Sequence, residues 1–206
     1  MSDLNAAAGA ILSPEAEQDL RRFAQMMLKW NQHINLISKA SEGEIWNRHI
    51  LDSVQIWPIS PDTAKLWVDI GSGGGLPGLV VAILAKYLRS DMRVVLIESD
   101  RRKAAFLVQA SNALSLNCEV RAARIEDVAD LQADVVSARA LAPLSTLLML
   151  GKRVSADDAV LIFPKGERAE EEILTARRDW QFTLKQTSSV TNPAASLLRI
   201  TEVHHV

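Results

Sequence analysis

Asp69-Ile70-Gly71-Ser72-Gly73-Gly74-Gly75-Leu76-Pro77-Gly78 decides how this chain is read. It follows the short apolar run Leu66-Trp67-Val68 and opens into the apolar stretch Leu79–Leu88, so the pattern is strand, glycine turn, helix. Glycine lets a chain leave a strand sharply and lets backbone approach a ligand closely. Five glycines in eight residues cost more entropy than a turn that merely packs would require. The helix start behind the loop offers its leading N–H groups as an anion site.

The loop contains G-x-G-x-x-G at Gly73, Gly75 and Gly78, which taken alone is weak evidence for a dinucleotide site. In a dinucleotide loop the first glycine follows the strand at once, whereas Asp69-Ile70-Gly71-Ser72 intervenes here. A second acid, Glu98, ends the next apolar run, Val94-Val95-Leu96-Ile97. An acid before the loop and another after the following strand suit a ligand with a cation and a ribose, and S-adenosylmethionine has both. Glu98 would accept from the ribose hydroxyls, although it would serve NAD equally. Further on, Ala123-Arg124-Ile125-Glu126-Asp127 and Arg139 each follow a predicted strand. Ligands bind at the carboxyl ends of strands in open α/β sheets, so both face the same cleft, the first of them toward adenine.

Outward from the loop, strand and helix patterns alternate. Strands are expected at Leu66–Ile70, Arg93–Ile97, Glu119–Ala122, Asp134–Ala138 and Ala159–Phe163, with a final antiparallel pair at Phe182–Ser188 and Leu197–Val203. Helices are expected from Gly78 to Leu88, from Asp100 to Leu114, over Leu144–Leu150 and over Glu167–Asp179. This alternation predicts a mainly parallel sheet with right-handed crossovers. Upstream, Ser13-Pro14-Glu15 reads as a helix start, and Leu20, Phe23, Met27, Trp30 and Ile34 form one apolar face. A second helix is expected over Glu42–Trp57, and the first dozen residues read as frayed. Residues 1–60 are therefore taken as a helical cap on a domain of residues 61–206, the two forming one unit.

The balance of 23 Lys/Arg against 25 Asp/Glu gives a net charge of −2, so any nucleic-acid surface must be assembled by the fold. The single cysteine, Cys118, excludes an internal disulfide, an all-cysteine zinc site and a C-x-x-C redox motif, and suits a reducing cytoplasm. The longest apolar run, Leu76–Ala85, is broken by Pro77 and Gly78, and no membrane span is expected.

Trp30-Asn31, Ile34-Asn35-Leu36, Arg48-His49-Ile50-Leu51-Asp52-Ser53, Asp69–Gly78, Ser137-Ala138-Arg139-Ala140 and Pro164-Lys165-Gly166 together resemble the ribosomal RNA small subunit methyltransferase G family, also called glucose-inhibited division protein B. The combination is specific although each piece alone is not. The resemblance covers about residues 15–180, and Ile37 departs from it where the pattern carries Thr. It implies a seven-stranded, Rossmann-like class I S-adenosylmethionine-dependent methyltransferase sheet with an N-terminal helical extension. It implies methyl transfer to guanine N7 in 16S rRNA, on the 30S subunit or its precursor. It also implies that Gly71, Leu76, Ile125, Glu126 and Arg139 contact the cofactor. The readings from the residues themselves add Gly73 and Glu98.

Guanine N7 has a lone pair and no proton, so its methylation needs no general base, and no catalytic residue is expected. Consistent with that, Arg139-Ala140-Leu141-Ala142-Pro143 stands where an amino-methylating enzyme would carry an Asn/Asp-Pro-Pro-aromatic tetrad. Cys118 follows Asn117, so a Pro-Cys nucleophile is missing too. Candidate RNA contacts are Arg48, Arg101, Arg102, Lys103 and Lys165, each of which could equally be a solvated charge. His49 would either meet RNA or pack against a neighbour such as Asp52, while Trp46 and Trp57 belong to the core. A monomer without metal is expected. A nicotinamide-dependent oxidoreductase and a non-catalytic RNA-binding assembly factor remain as alternatives.

Overall fold

The computed structural model describes residues 2–206. Strands β1 (Leu66–Ile70), β2 (Arg93–Ile97), β3 (Cys118–Arg121), β4 (Ala133–Ser137), β5 (Ser155–Lys165), β6 (Trp180–Ser188) and β7 (Ser196–His205) form one sheet in the order β3-β2-β1-β4-β5-β7-β6. The first five pair in parallel, and β7 alone runs against its neighbours β5 and β6. The strand order reverses between β1 and β4. Asp69 of β1 sits opposite Leu96 of β2 on one side and Ser137 of β4 on the other. A crevice opens beyond the carboxyl ends at such a reversal, and the glycine loop lies there.

Eight apolar residues in a row at the start of α4 (Gly78–Leu88), from Gly78 to Ala85, are buried. A helix apolar all round must be covered on every side, and the cap provides the outer cover. Helix α2 (Pro14–Asn31) begins where Ser13 Oγ accepts from the Ala16 amide, and it buries Leu20, Phe23 and Met27 completely. Trp30 and Phe23 reach Phe106 of α5 (Arg101–Ala113), with ring centroids 5.6 and 6.4 Å apart. Asp19, 5% exposed, accepts from Lys86 Nζ at 2.9 Å and Tyr87 Oη at 2.8 Å, which ties the cap to the end of α4. The core on this face runs without a break from Leu4 in the cap to Ile162 in β5. On the opposite face α6 (Leu144–Val154) and α7 (Ala169–Ala176) close a second apolar cluster.

Two expectations for the cap fail. Residues 3–8 are not frayed: they form α1 (Asp3–Ala8), capped by Ser2, with Leu4, Ala7 and Ala8 buried against the following cap elements. Nor is Glu42–Trp57 one helix. A 3₁₀ turn (Lys39–Glu44), a π turn (Trp46–Leu51), the short α3 (Asp52–Val54) and a second 3₁₀ turn (Trp57–Ile59) follow one another. The π turn widens the coil, so backbone carbonyls that a regular helix would occupy are offered sideways, as is frequent near functional sites. Ser53 Oγ donates to the His49 carbonyl, and Arg139 reaches the Arg48 carbonyl. Apolar periodicity carries no trace of this, because tertiary partners impose it.

Candidate functional site

Two cavities meet beyond the carboxyl ends of β1, β2 and β4. The smaller, about 410 Å³, is lined by the glycine loop, the end of β2 and the 123–126 segment. The larger, about 660 Å³, is lined by the cap, the end of β5, the start of α7 and the 189–197 segment. They share one wall, Arg139-Ala140-Leu141. At its centre Ala140 is held at φ +53°, a backbone region uncommon for residues that carry a Cβ.

The glycine loop is fixed from beneath. Asp69 is fully buried. Ser137 Oγ donates to its Oδ1 at 2.6 Å, and Ser137 in turn receives Trp67 Nε1–H at 2.9 Å. The Gly78 amide donates to Asp69 Oδ2 at 3.2 Å. Burial pushes this carboxyl up to about 6, against the pull of those donors. The arrangement corrects two readings. Asp69 is not open to a ligand's cation. The start of α4 is also not the open anion site expected, because a carboxylate, Asp69, takes the Gly78 amide while Leu79 and Val81 donate to the Gly75 and Pro77 carbonyls. Gly78 itself is required by packing: a Cβ there would lie 2.3 Å from Leu96 Cδ2. One glycine of the apparent dinucleotide motif therefore serves the fold, and a buried carboxylate stands where a pyrophosphate would bind.

Gly73 is different. Its φ is +54°, and a Cβ would meet nothing nearer than the Gly71 carbonyl at 3.8 Å, so the loop leaves open space there. Glu98, only 8% exposed, accepts from the Gly73 amide at 2.7 Å through Oε2 and from the Asp100 amide at 2.7 Å through Oε1. It thus clamps the glycine loop to the start of α5 while lining the smaller cavity. The cap closes the outer side. Asn31 Oδ1 accepts from the Leu36 and Ile37 amides, which brings Leu36 against Gly74.

All seven residues expected to hold a cofactor, Gly71, Gly73, Leu76, Glu98, Ile125, Glu126 and Arg139, come together around the smaller cavity. Lys103, expected at the RNA, lines it too. Arg101 and Arg102 are exposed on the first turn of α5. Arg48 lies on the rim of the larger groove and pairs with Glu44 at 3.3 Å. Lys165 is not a free cation. Its side chain is 9% exposed, and Nζ donates to the Ala142 carbonyl at 2.8 Å and to Glu172 Oε2 at 2.7 Å.

His49 sits between Arg139 and Ser41 rather than against Asp52. The Arg139 guanidinium donates to Nδ1 at 3.2 Å, so Nε2 must carry the proton and donate to Ser41 Oγ at 2.8 Å. Ser41 Oγ spends its own proton on the Ser38 carbonyl, which agrees with that tautomer. Burial, with the Arg139 charge second, holds the imidazole down to about 4. Arg139 also meets Asp52 Oδ2 at 3.3 Å. Asp52, Ser41, Leu141 and Glu172 escaped the sequence reading. Asp52 was visible only within the Arg48–Ser53 stretch and as a neighbour of His49, with no role of its own, and Glu172 was hidden in a charged helix that looks like a solvated face. Cys118 is half-buried with its thiol pushed up to about 12 by burial, so it is no nucleophile.

Residues 16–199 match the family model described as rRNA small subunit methyltransferase G. The chain is 43% identical over 204 residues to the ribosomal RNA small subunit methyltransferase G of Cereibacter sphaeroides, covering 99% of this chain and 98% of that one. Among solved structures it is similar to a SAM dependent methyltransferase from Aquifex aeolicus, with a TM-score of 0.60 at 14% identity over 79% of this chain and 95% of that one. It is also similar to a methyltransferase from Geobacter sulfurreducens, with a TM-score of 0.56 at 20% identity over 92% and 91% of the two chains.

Proposed function

The chain belongs to the rRNA small subunit methyltransferase G family, and from that premise we propose that it transfers a methyl group from S-adenosylmethionine to N7 of a guanine in 16S rRNA. The observation that carries this reading is the shared wall: a nucleoside-sized cavity and a wider groove meet at Arg139-Ala140-Leu141. A methyl group would pass from one to the other along that seam.

The smaller cavity fits the cofactor chemically. At the start of α4 the Gly78, Leu79 and Val81 amides are already engaged rather than offered to a phosphate, and the cofactor has no phosphate. Glu98 offers a carboxylate at the end of β2, where its remaining lone pairs suit ribose hydroxyls. Gly71, Gly73 and Leu76 would hold the methionine end, with Arg139 donating to its carboxylate, and Ile125 and Glu126 would hold the adenine. When bound, S-adenosylmethionine supplies an electrophilic methyl on a sulfonium. The chain's own contribution is to orient the two partners and to exclude water. A general base is unnecessary, and the titratable groups near the seam are already engaged: Asp69 with Ser137 and Gly78, His49 with Arg139 and Ser41.

The partner in this reading is the 30S subunit or its precursor, met by Arg48, Arg101, Arg102 and Lys103. Unpaired, exposed bases are the usual targets of sequence-specific RNA contacts. One copy carries both cavities, so a monomer suffices. Among the described residues no helix is long and apolar enough to cross a membrane, and we place the work in the cytoplasm, where ribosomes are assembled. The test is methyl transfer from labelled S-adenosylmethionine to 16S rRNA from cells lacking this protein, with the modified base mapped. A methyl on guanine N7 is expected. Cofactor binding without any turnover would leave a non-catalytic assembly factor in its place.

A further inference from the structure

Three carboxylates line the larger groove: Glu44, Asp52 and Glu172. Both oxygens of Asp52 are engaged within the chain, since Gln55 Nε2 and Thr191 Oγ1 donate to Oδ1 and Arg139 to Oδ2. Glu44 is an exposed rim residue paired with Arg48. Glu172 differs from both. Its Oε2 accepts from the Leu144 amide at 2.8 Å and from Lys165 Nζ at 2.7 Å, which holds the side chain in one place with 23% of it exposed. Its Oε1 has no partner among the described residues. Lys165 spends two of its three N–H bonds, on Glu172 and on the Ala142 carbonyl, and keeps one. A fixed free acceptor therefore stands beside a fixed free donor, and the donor is anchored on the Ala142 carbonyl, next in the chain to the seam residue Leu141.

Guanine presents the complementary pattern. With N7 turned to the seam, its opposite edge carries N1–H and N2–H₂ donors, and the O6 acceptor lies beside them. Adenine presents the reverse, a donor at N6 and an acceptor at N1. We propose that Glu172 Oε1 accepts from N2–H of the acceptor guanine while Lys165 donates to O6, so that this pair selects the base to be methylated. The inference rests on the methyltransferase reading given above. It makes Glu172 a specificity determinant in contact with substrate, and Lys165 more than a bystander to the RNA backbone. A polar pair built to match a substrate's N–H groups rejects analogues that lack them, because its own atoms are then left unpaired.

The experiment compares 16S rRNA carrying guanine or inosine at the mapped methylation position, assembled into 30S subunits. Inosine keeps N7, O6 and N1–H and lacks only the N2 amine. The wild-type protein is expected to prefer guanine by more than about tenfold in kcat/KM, the range of one hydrogen bond to a charged group. In Glu172→Gln that preference should fall to near unity with unchanged affinity for S-adenosylmethionine. Glu172→Asp, which keeps the charge for Lys165 and withdraws it from the base, should do the same if the Gln variant folds poorly. A preference that survives in both variants, or is absent from the wild type, overturns the proposal while leaving the methyltransferase reading intact. A wild type that methylates no guanine in 16S rRNA overturns that reading, and this one with it.

Discussion

Arg139, from the loop after β4, donates to His49 Nδ1 across 3.2 Å and so joins the shared wall of the two cavities to the π turn of the cap. His49 supplies an acceptor and no charge, and Ser41 fixes which nitrogen offers it. His49→Ala should therefore free the guanidinium and weaken S-adenosylmethionine binding by about tenfold, the scale of one charge-assisted hydrogen bond. His49→Gln, which can still accept at this position, should restore most of it. Calorimetric titration checks both; equal losses in Ala and Gln would show that the contact merely fills space.

The same histidine has a signature in stability. Its pKa falls from 6.5 in the unfolded chain to about 4 in the fold. In that interval the unfolded chain takes up a proton that the folded one refuses, so this contribution is complete above 6.5 and is lost as pH falls toward 4. Asp69 acts in the opposite direction. Its carboxyl is raised to about 6, so its contribution is present in acid and is lost as pH rises through that value. The stability difference between wild type and His49→Gln should thus be smaller at about pH 5 than at about pH 7.5. Urea unfolding at the two pH values measures it; an identical difference at both would contradict a neutral, buried His49.

Glu98→Gln leaves one oxygen and one NH₂ group facing two backbone donors, the Gly73 and Asp100 amides. One of those amides must lose its acceptor, at a cost of about 1–3 kcal/mol. Both the melting temperature and cofactor affinity should fall, the latter by about tenfold or more. A variant with a normal melting temperature and normal affinity would return Glu98 to an ordinary acid beside a helix start.

Gly73 and Gly78 should separate binding from folding. Gly73→Val adds a side chain into open space at φ +54°, so the protein should fold with a strain of about 1–2 kcal/mol and lose cofactor binding. Gly78→Ala drives a Cβ to within 2.3 Å of Leu96 Cδ2 and 2.6 Å of Asp69 Oδ2, and should lose the fold itself. Circular dichroism melts alongside titration decide the matter, and near-normal binding in Gly73→Val would displace the ligand from this loop.

If guanine N7 is the nucleophile, single-turnover methyl transfer at saturating cofactor and constant salt should be level between about pH 7 and 9, above the titrations of Asp69 and His49. Arg139→Ala should lower the rate or the cofactor affinity without bending that profile. A rising limb that vanishes on mutating His49 or Glu126 would point to a proton-bearing acceptor atom instead.

Much of the fold was legible in the sequence, because it rests on local pattern. The strand-loop-helix at Leu66–Leu88, the Asp100 cap of α5 and the alternation that forces a parallel sheet are written in apolar spacing and glycine placement. So were the segments that line the smaller cavity, because in an open α/β sheet every loop after a parallel strand emerges at the same edge, while the family resemblance singled out Gly71, Leu76, Ile125, Glu126 and Arg139 within them. What stayed illegible depends on partners distant in the chain. The π turn at Trp46–Leu51 exists where Arg139, ninety residues away from His49, takes the Arg48 carbonyl and the His49 imidazole. Asp69 reads as an acid for a ligand's cation until Ser137 and Gly78 are seen to close over it. Lys165 reads as a free charge until Ala142 and Glu172 hold it. Periodicity reports which face of an element is apolar; which polar group meets which is decided only when elements far apart in sequence pack together, since burying a charge or donor without a partner is costly.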